Sequence, residues 1–241
     1  MTKNTAELNA KWENVPCRDG FAMPSLLLTP RGHPPCPGLL FIAEPFGINA
    51  EMKRVAGEIA TAGYAVLIPD LFKRGSWFAC VRALMADLKR GQGRSVDDLL
   101  DAREWLVSRP EVLPDRVAVM GLCMGGGFAL ILGKTGLFRV SAPFYGQTPD
   151  DLTGTCPVVA SFGARDRMIR PHADRLTTEL ARLDVPHDIK TYPGAGHSFM
   201  TRPPNLALAL LGPILPVRAG YEPKAASDAT QRVLSFLSKH V

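Results

Sequence analysis

Val117-Ala118-Val119-Met120-Gly121-Leu122-Cys123-Met124-Gly125-Gly126 is the stretch that decides the fold. Its first four residues are apolar and uninterrupted, as expected of a strand covered on both faces. The run from Met124 to Leu132 is apolar as well and reads as a buried helix. Strand therefore turns into helix within the pattern Gly-x-Cys-x-Gly. So sharp a turn brings two backbones close together and leaves no room for side chains at the flanking positions, which glycine satisfies. The residue at the apex then projects above the end of the strand. Helix amides point at it, favour thiolate over thiol and offer a donor to a nascent oxyanion. A buried structural cysteine beside a glycine-rich turn is the competing reading of this stretch alone. A phosphate loop fits worse, because no Lys-Ser or Lys-Thr follows the glycines.

Outward from this turn, short apolar segments alternate with longer helical ones. Residues 39–43, 64–69, 116–120, 140–145, 157–162 and 187–192 read as strands. Asn49 is placed to cap a helix running to Gly63, where a left-handed stop is natural. Ser95 with Asp98 resembles a capping box for a helix ending before Pro110. Pro171 suits the first turn of a helix reaching Leu183, and a last helix is expected over 225–239. This β-α-β-α rhythm predicts an α/β fold with an open, mainly parallel sheet and helices on both faces. Residues 21–28 are expected as an antiparallel edge strand. No linker or repeat divides the chain, so residues 1–241 are read as one domain. The proline-rich stretch 202–223 is expected to be a surface loop packed by its own leucines, with a flap beside the active site as the alternative.

Composition sets limits on function. Of 241 residues, 46% are hydrophobic and 21% charged, which suits a globular protein with a sizeable core. The net charge of +5 is spread over short pairs such as Lys53-Arg54, Lys73-Arg74 and Lys89-Arg90. That dispersal argues against nucleic acid, while leaving room for anionic small substrates. Five cysteines, an odd number with no Cys-x-x-Cys pair, fit neither a disulfide framework nor a zinc site. The polar N-terminus lacks a secretory pattern. The longest apolar run, 206–217, is too short for a membrane helix and is broken by Gly212, Pro213 and Pro216. A reduced, cytoplasmic protein is expected, without metal, cofactor or membrane partner, as a monomer or weak homodimer.

Two further motifs bear on chemistry. Gly163-Ala164-Arg165-Asp166 follows the strand at 157–162, and a carboxylate there can orient an imidazole. Tyr192-Pro193-Gly194-Ala195-Gly196-His197 places a histidine in a glycine-flanked loop after the final strand. Alone, each is weak, since such an Asp is usually a cap and a lone His usually structural. Together with Cys123 they run nucleophile, acid, histidine, and the intervals of 43 and 31 positions each hold a βα unit. Parallel strands would deliver all three loops to one sheet edge, where ligands bind in such sheets. His33, His172, His187 and His240 lack such a setting.

These motifs make the chain resemble the dienelactone hydrolases (carboxymethylenebutenolidases), of the α/β-hydrolase superfamily, over nearly its whole length. Gly121–Gly126 looks like that family's cysteine elbow, and Asp166 and His197 like its acid and base. Glu44-Pro45-Phe46-Gly47 resembles a family segment in which the Glu governs ionisation of the thiol. Asp70-Leu71-Phe72-Lys73-Arg74 resembles another, which implies that Arg74 contacts a substrate carboxylate. Tyr145 and Arg202 complete the substrate contacts inferred this way, although Arg202 stands one position out of the family register. Pro45 also departs from the pattern: it has no N–H to give an oxyanion hole. Met124 and Phe46 are left as the expected donors. The resemblance implies an ester or lactone hydrolase working through a thioester acyl-enzyme, with no cofactor. A non-catalytic relative that binds small molecules or senses thiol chemistry is the alternative.

Overall fold

Period-2 alternation in the aliphatic strands sends side chains to two sides of a sheet, and two separate cores result. Leu39, Phe41, Val66 and Ile68 enter one core; their neighbours Leu40, Ile42, Ala65 and Leu67 enter the other. In this computed structural model, residues 8–32, 35–203 and 205–241 are described. His33, Pro204 and the first seven residues of the polar N-terminal stretch lie outside them.

The strands are β1 (Leu8–Pro16), β2 (Ala22–Pro30), β3 (Cys36–Ile42), β4 (Ala65–Pro69), β5 (Val112–Leu122), β6 (Val140–Phe144), β7 (Val158–Gly163) and β8 (His187–Tyr192). They form one eight-stranded sheet in the order β1-β2-β4-β3-β5-β6-β7-β8. Pairing is antiparallel at β1–β2 and β2–β4 and parallel from β4 across to β8. The helices are α1 (Ala50–Thr61), α2 (Trp77–Arg90), α3 (Arg94–Val107), α4 (Met124–Gly133), α5 (Arg170–Arg182), α6 (Leu206–Leu211) and α7 (Pro223–His240). α1, α5 and α7 bury Val55, Leu176 and Val233 in the first core. α2 and α3 bury Leu84 and Leu99 in the second. Each such side chain contributes roughly 1.5–3 kcal/mol of hydrophobic stabilisation.

Several expectations are corrected here. The segment expected as an edge strand is β2, second from the edge; β1 lies outside it. β1 reads Leu-Asn-Ala-Lys-Trp-Glu-Asn-Val-Pro and is largely exposed, so it carries little hydrophobic signal. Its charges keep the open edge from pairing with other chains. The Ser95–Asp98 capping box does not form: Gly93 is the N-cap of α3. Buried Asp87 instead accepts both the backbone N–H and the hydroxyl of Ser95, and Asp98 pairs with Arg74. Helix α2 was not anticipated, although Ser76 caps its start and Gly91, at φ 68°, ends it. The 202–223 stretch, expected as a loop, carries regular structure among its described residues. It contains α6 and a 3-10 turn (Gly212–Ile214), with Leu210, Leu211, Ile214 and Leu215 exposed. No helix among the described residues is long and apolar enough to cross a membrane.

Candidate active site

Every parallel strand from β3 to β8 ends at the same edge of the sheet. The loops after β3, β5, β7 and β8 therefore deliver Glu44, Cys123, Asp166 and His197 to one place. Cys123 joins β5 to α4 at φ 57° and ψ −119°, a conformation that costs a non-glycine residue on the order of 1–3 kcal/mol. Close packing holds it there. A Cβ on Gly121 would lie 2.0 Å from the Gly125 carbonyl oxygen, and one on Gly125 would lie 2.3 Å from that of Ile42. The Cys123 N–H donates to the Phe144 carbonyl of the adjacent strand at 3.0 Å.

His197 Nε2 stands 3.0 Å from Cys123 Sγ. Its Nδ1 stands 2.5 Å from Asp166 Oδ2, so the Nδ1–H donates to the carboxylate while Nε2 faces the sulfur. Asp166 is fully buried. Its other oxygen accepts the N–H groups of Met168 and Ile169 at 3.1 and 3.2 Å, which fixes the carboxylate. The His197 backbone is tied on both sides, N–H to the Val217 carbonyl and carbonyl to the Gly220 N–H. Burial alone disfavours a charged imidazole. The hydrogen bonds and charges of Asp166 and Cys123 outweigh it and raise the His197 pKa to about 10.

Glu44 sits next to this row, buried, with its carboxylate accepting the Tyr145 hydroxyl at 3.1 Å and the Thr201 hydroxyl at 3.2 Å. Burial raises its pKa, against the opposing pull of His197 and of the Tyr145, Ser198 and Thr201 hydroxyls. A carboxyl that takes up a proton easily thus lies beside an imidazole held by a thiol.

Residues 23–241 match the model of the dienelactone hydrolase family. The chain belongs to that family. It is 25% identical to the carboxymethylenebutenolidase of Rhodococcus opacus, over 84% of this chain and 81% of that protein. With the carboxymethylenebutenolidase of Pseudomonas putida it shares 25% identity, over 91% of this chain and 92% of that one. A solved dienelactone hydrolase-like promiscuous phosphotriesterase from metagenomic libraries has the same fold, with a TM-score of 0.80. It is 23% identical, with 97% of this chain and 98% of that one covered. The protein is accordingly an ester or lactone hydrolase of the α/β-hydrolase fold.

Within this dienelactone hydrolase framework, two of the residues expected to touch substrate are otherwise engaged. Arg74 is expected to meet a substrate carboxylate. Its guanidinium binds both oxygens of Asp98, at 2.7 and 2.6 Å, and both of Asp19, at 2.7 and 3.0 Å. Two carboxylates neutralise it. Tyr145 is the second. The side chain is fully buried, donates to Glu44 and packs its ring 5.0 Å from that of His197, so it positions the row from behind. Arg202 does reach a small pocket shared with Glu44, Phe46, Ser198 and Thr201. There it pairs with Glu51 at 2.9 Å and lies over the Tyr221 ring.

The residues expected as oxyanion donors sit at the starts of two segments beside Cys123. Met124 is the first residue of α4. In the segment after β3, the Gly47 N–H is taken by the Glu44 carbonyl, and Pro45 has none, which leaves Phe46. The Pro45 carbonyl accepts the Trp77 indole N–H at 2.7 Å. Carbonyl 45 and N–H 46 belong to one planar trans peptide and point in opposite directions. Trp77 therefore fixes where the Phe46 N–H points. Neither Trp77 nor Thr201 was anticipated. Thr201 had a signal in its closeness to His197, whereas Trp77 opens a helix that the sequence left unread. The described residues contain one cluster of metal-ligand type, Cys17, Asp98 and Asp101. Its carboxylates already bind Arg74 and Arg18, and burial raises the Cys17 thiol to about 11.

Proposed function

We propose that this enzyme hydrolyses esters and lactones through a Cys123–His197–Asp166 triad and a thioester intermediate. The observation that carries the reading is the unbroken row Sγ, Nε2, Nδ1, Oδ2, with separations of 3.0 and 2.5 Å at its two hydrogen bonds. His197 takes the thiol proton while Asp166 holds its tautomer and stabilises the imidazolium. The thiolate attacks the carbonyl carbon, and the N–H groups of Met124 and Phe46 receive the oxyanion. On collapse the C–O bond breaks and His197 returns its proton to the departing alkoxide. Water, deprotonated by His197, then attacks the thioester; the acid leaves and the thiol is restored. Glu44 acts as a local proton reservoir for the thiol–imidazole pair.

The carboxymethylenebutenolidase relatives are named for a lactone that bears a carboxylate. Here Arg74 is neutralised twice over and Arg202 is paired with Glu51. We assign the chain neutral or weakly anionic short esters and lactones in place of that substrate. The test is turnover of a small activated ester such as p-nitrophenyl acetate. Cys123→Ala and His197→Ala should each reduce it by at least about 10³-fold. Full activity in both variants would refute the triad.

A further inference from the structure

Flanking the acid–base pair, on the loops 163–170, 194–196 and 218–222, lies a cavity of about 700 Å³ that the proposed reaction does not use. Four arginines line it, Arg165, Arg167, Arg170 and Arg218. One carboxylate faces them, Glu222, and it is already engaged in capping α7 through the Ala225 N–H. Among the described residues, Arg165, Arg167 and Arg170 have no ion-pair partner. Arg18, Arg74 and Arg232, elsewhere on the molecule, each hold a carboxylate. The rest of the wall is largely alanine and glycine, so a ligand can approach the backbone. Helices α5 and α7 both begin here, and their positive ends add to the field.

Four like charges around a concavity repel one another and concentrate the field within it, which draws in anions. Guanidinium forks bind carboxylate and phosphate oxygens in pairs. The volume lies inside the range of small-molecule sites, roughly 300–1,000 Å³. Three guanidinium groups without an ion-pair partner, Arg165, Arg167 and Arg170, are poorly met by a monoanion. We infer that this cavity binds a small oxyanion carrying two or more charges, a phosphate monoester or a polycarboxylate.

Occupancy reaches the triad mechanically. Asp166 is held between Arg165, whose N–H binds the Ala195 carbonyl, and Arg167, whose N–H binds the Pro216 carbonyl. The next residues along, 196–197 and 217–218, carry the His197 N–H to Val217 bond. A ligand bridging the arginines clamps all three loops, and the fold gains stability by mass action.

The experiment titrates the chain with inorganic phosphate and with citrate. Thermal unfolding and calorimetry are read against sodium chloride at matched ionic strength. The two anions separate phosphoryl from polycarboxylate recognition. At least one should bind saturably, with a millimolar or tighter midpoint, and raise the melting temperature beyond the chloride control. Arg167→Gln/Arg170→Gln should weaken that binding by about tenfold or more, with unchanged circular dichroism, since both side chains are exposed. A response no larger than chloride gives, or one that survives the double substitution undiminished, overturns the site. Neither readout involves the thiol, so the ester-hydrolysis test and this one fail independently.

Discussion

Glu44 carries a cost that its neighbours only partly offset. Its carboxyl is buried and its pKa raised, so the folded chain binds that proton more tightly than the unfolded chain does. For such a group, stability falls as pH climbs from the unfolded value through the folded one, and stays lower above it. Glu44→Gln mimics the protonated form at every pH. The variant should melt above the wild type at pH 7, by roughly 2–4 °C for each kcal/mol relieved, and the gap should close as pH falls toward 4. Ester turnover should drop on the order of 10²-fold if the carboxyl moves protons. Equal melting points at pH 7 would remove the desolvation argument. Trp77 offers a second test at this scale. Trp77→Phe keeps the ring and deletes the donor to Pro45, freeing the Phe46 peptide to turn. We expect kcat to fall by about tenfold, a fraction of the 10²–10³ lost with a whole oxyanion donor, while KM holds. Thionoesters, whose sulfur accepts hydrogen bonds poorly, should lose less than oxygen esters; equal losses would point to general disruption. Cys123, Asp166 and His197 were legible in sequence because each sits in a local motif at a strand end. The pairings of Arg74 with Asp98 and of Tyr145 with Glu44 were not legible, because those partners lie far along the chain and leave no mark near them.

At the scale of elements, the elbow shows why some structure is written locally and some is not. Its glycines are demanded by backbone approach, so the pattern around Cys123 reads directly from the sequence. Gly125→Ala would place a Cβ 2.3 Å from the Ile42 carbonyl oxygen, against backbone that cannot yield. The expected cost is about 3 kcal/mol or more, seen as a lower denaturant midpoint with an unchanged slope; an alanine variant as stable as the parent would contradict the geometry. β1 and α2 were missed for a different reason. β1 gains its place from pairing with β2 along nine residues, Leu8 with Pro30 through Pro16 with Ala22, while its own side chains are mostly exposed. α2 places Trp77 and Phe78 in solvent and buries Asp87, which obscures its apolar stripe of Cys80, Leu84 and Leu88. Periodicity reports burial, and both elements hide little or hide the wrong residues. The parallel strands are covered on both faces, so the sheet and its edge were readable.

For the molecule as a whole, the pairing of Arg74 decides how distant parts are joined. Asp19 lies in the turn between β1 and β2, Asp98 on α3, and Arg74 in the loop after β4; Phe21 packs its ring beneath the guanidinium at 4.2 Å. Three segments far apart in sequence thus meet at one cation. Asp98 is almost fully buried, so removing its partner leaves a carboxylate with neither water nor countercharge. Losing one member of such a buried pair costs roughly 3–5 kcal/mol. Arg74→Met retains the apolar stem and deletes the charge, and should lower the melting temperature by about 10 °C. The KM for a neutral ester and that for an acidic one should stay in the same ratio as in the parent, because two carboxylates already hold the guanidinium. A variant that melted normally while losing affinity for acidic esters alone would restore Arg74 to the substrate pocket and make the ion triad incidental.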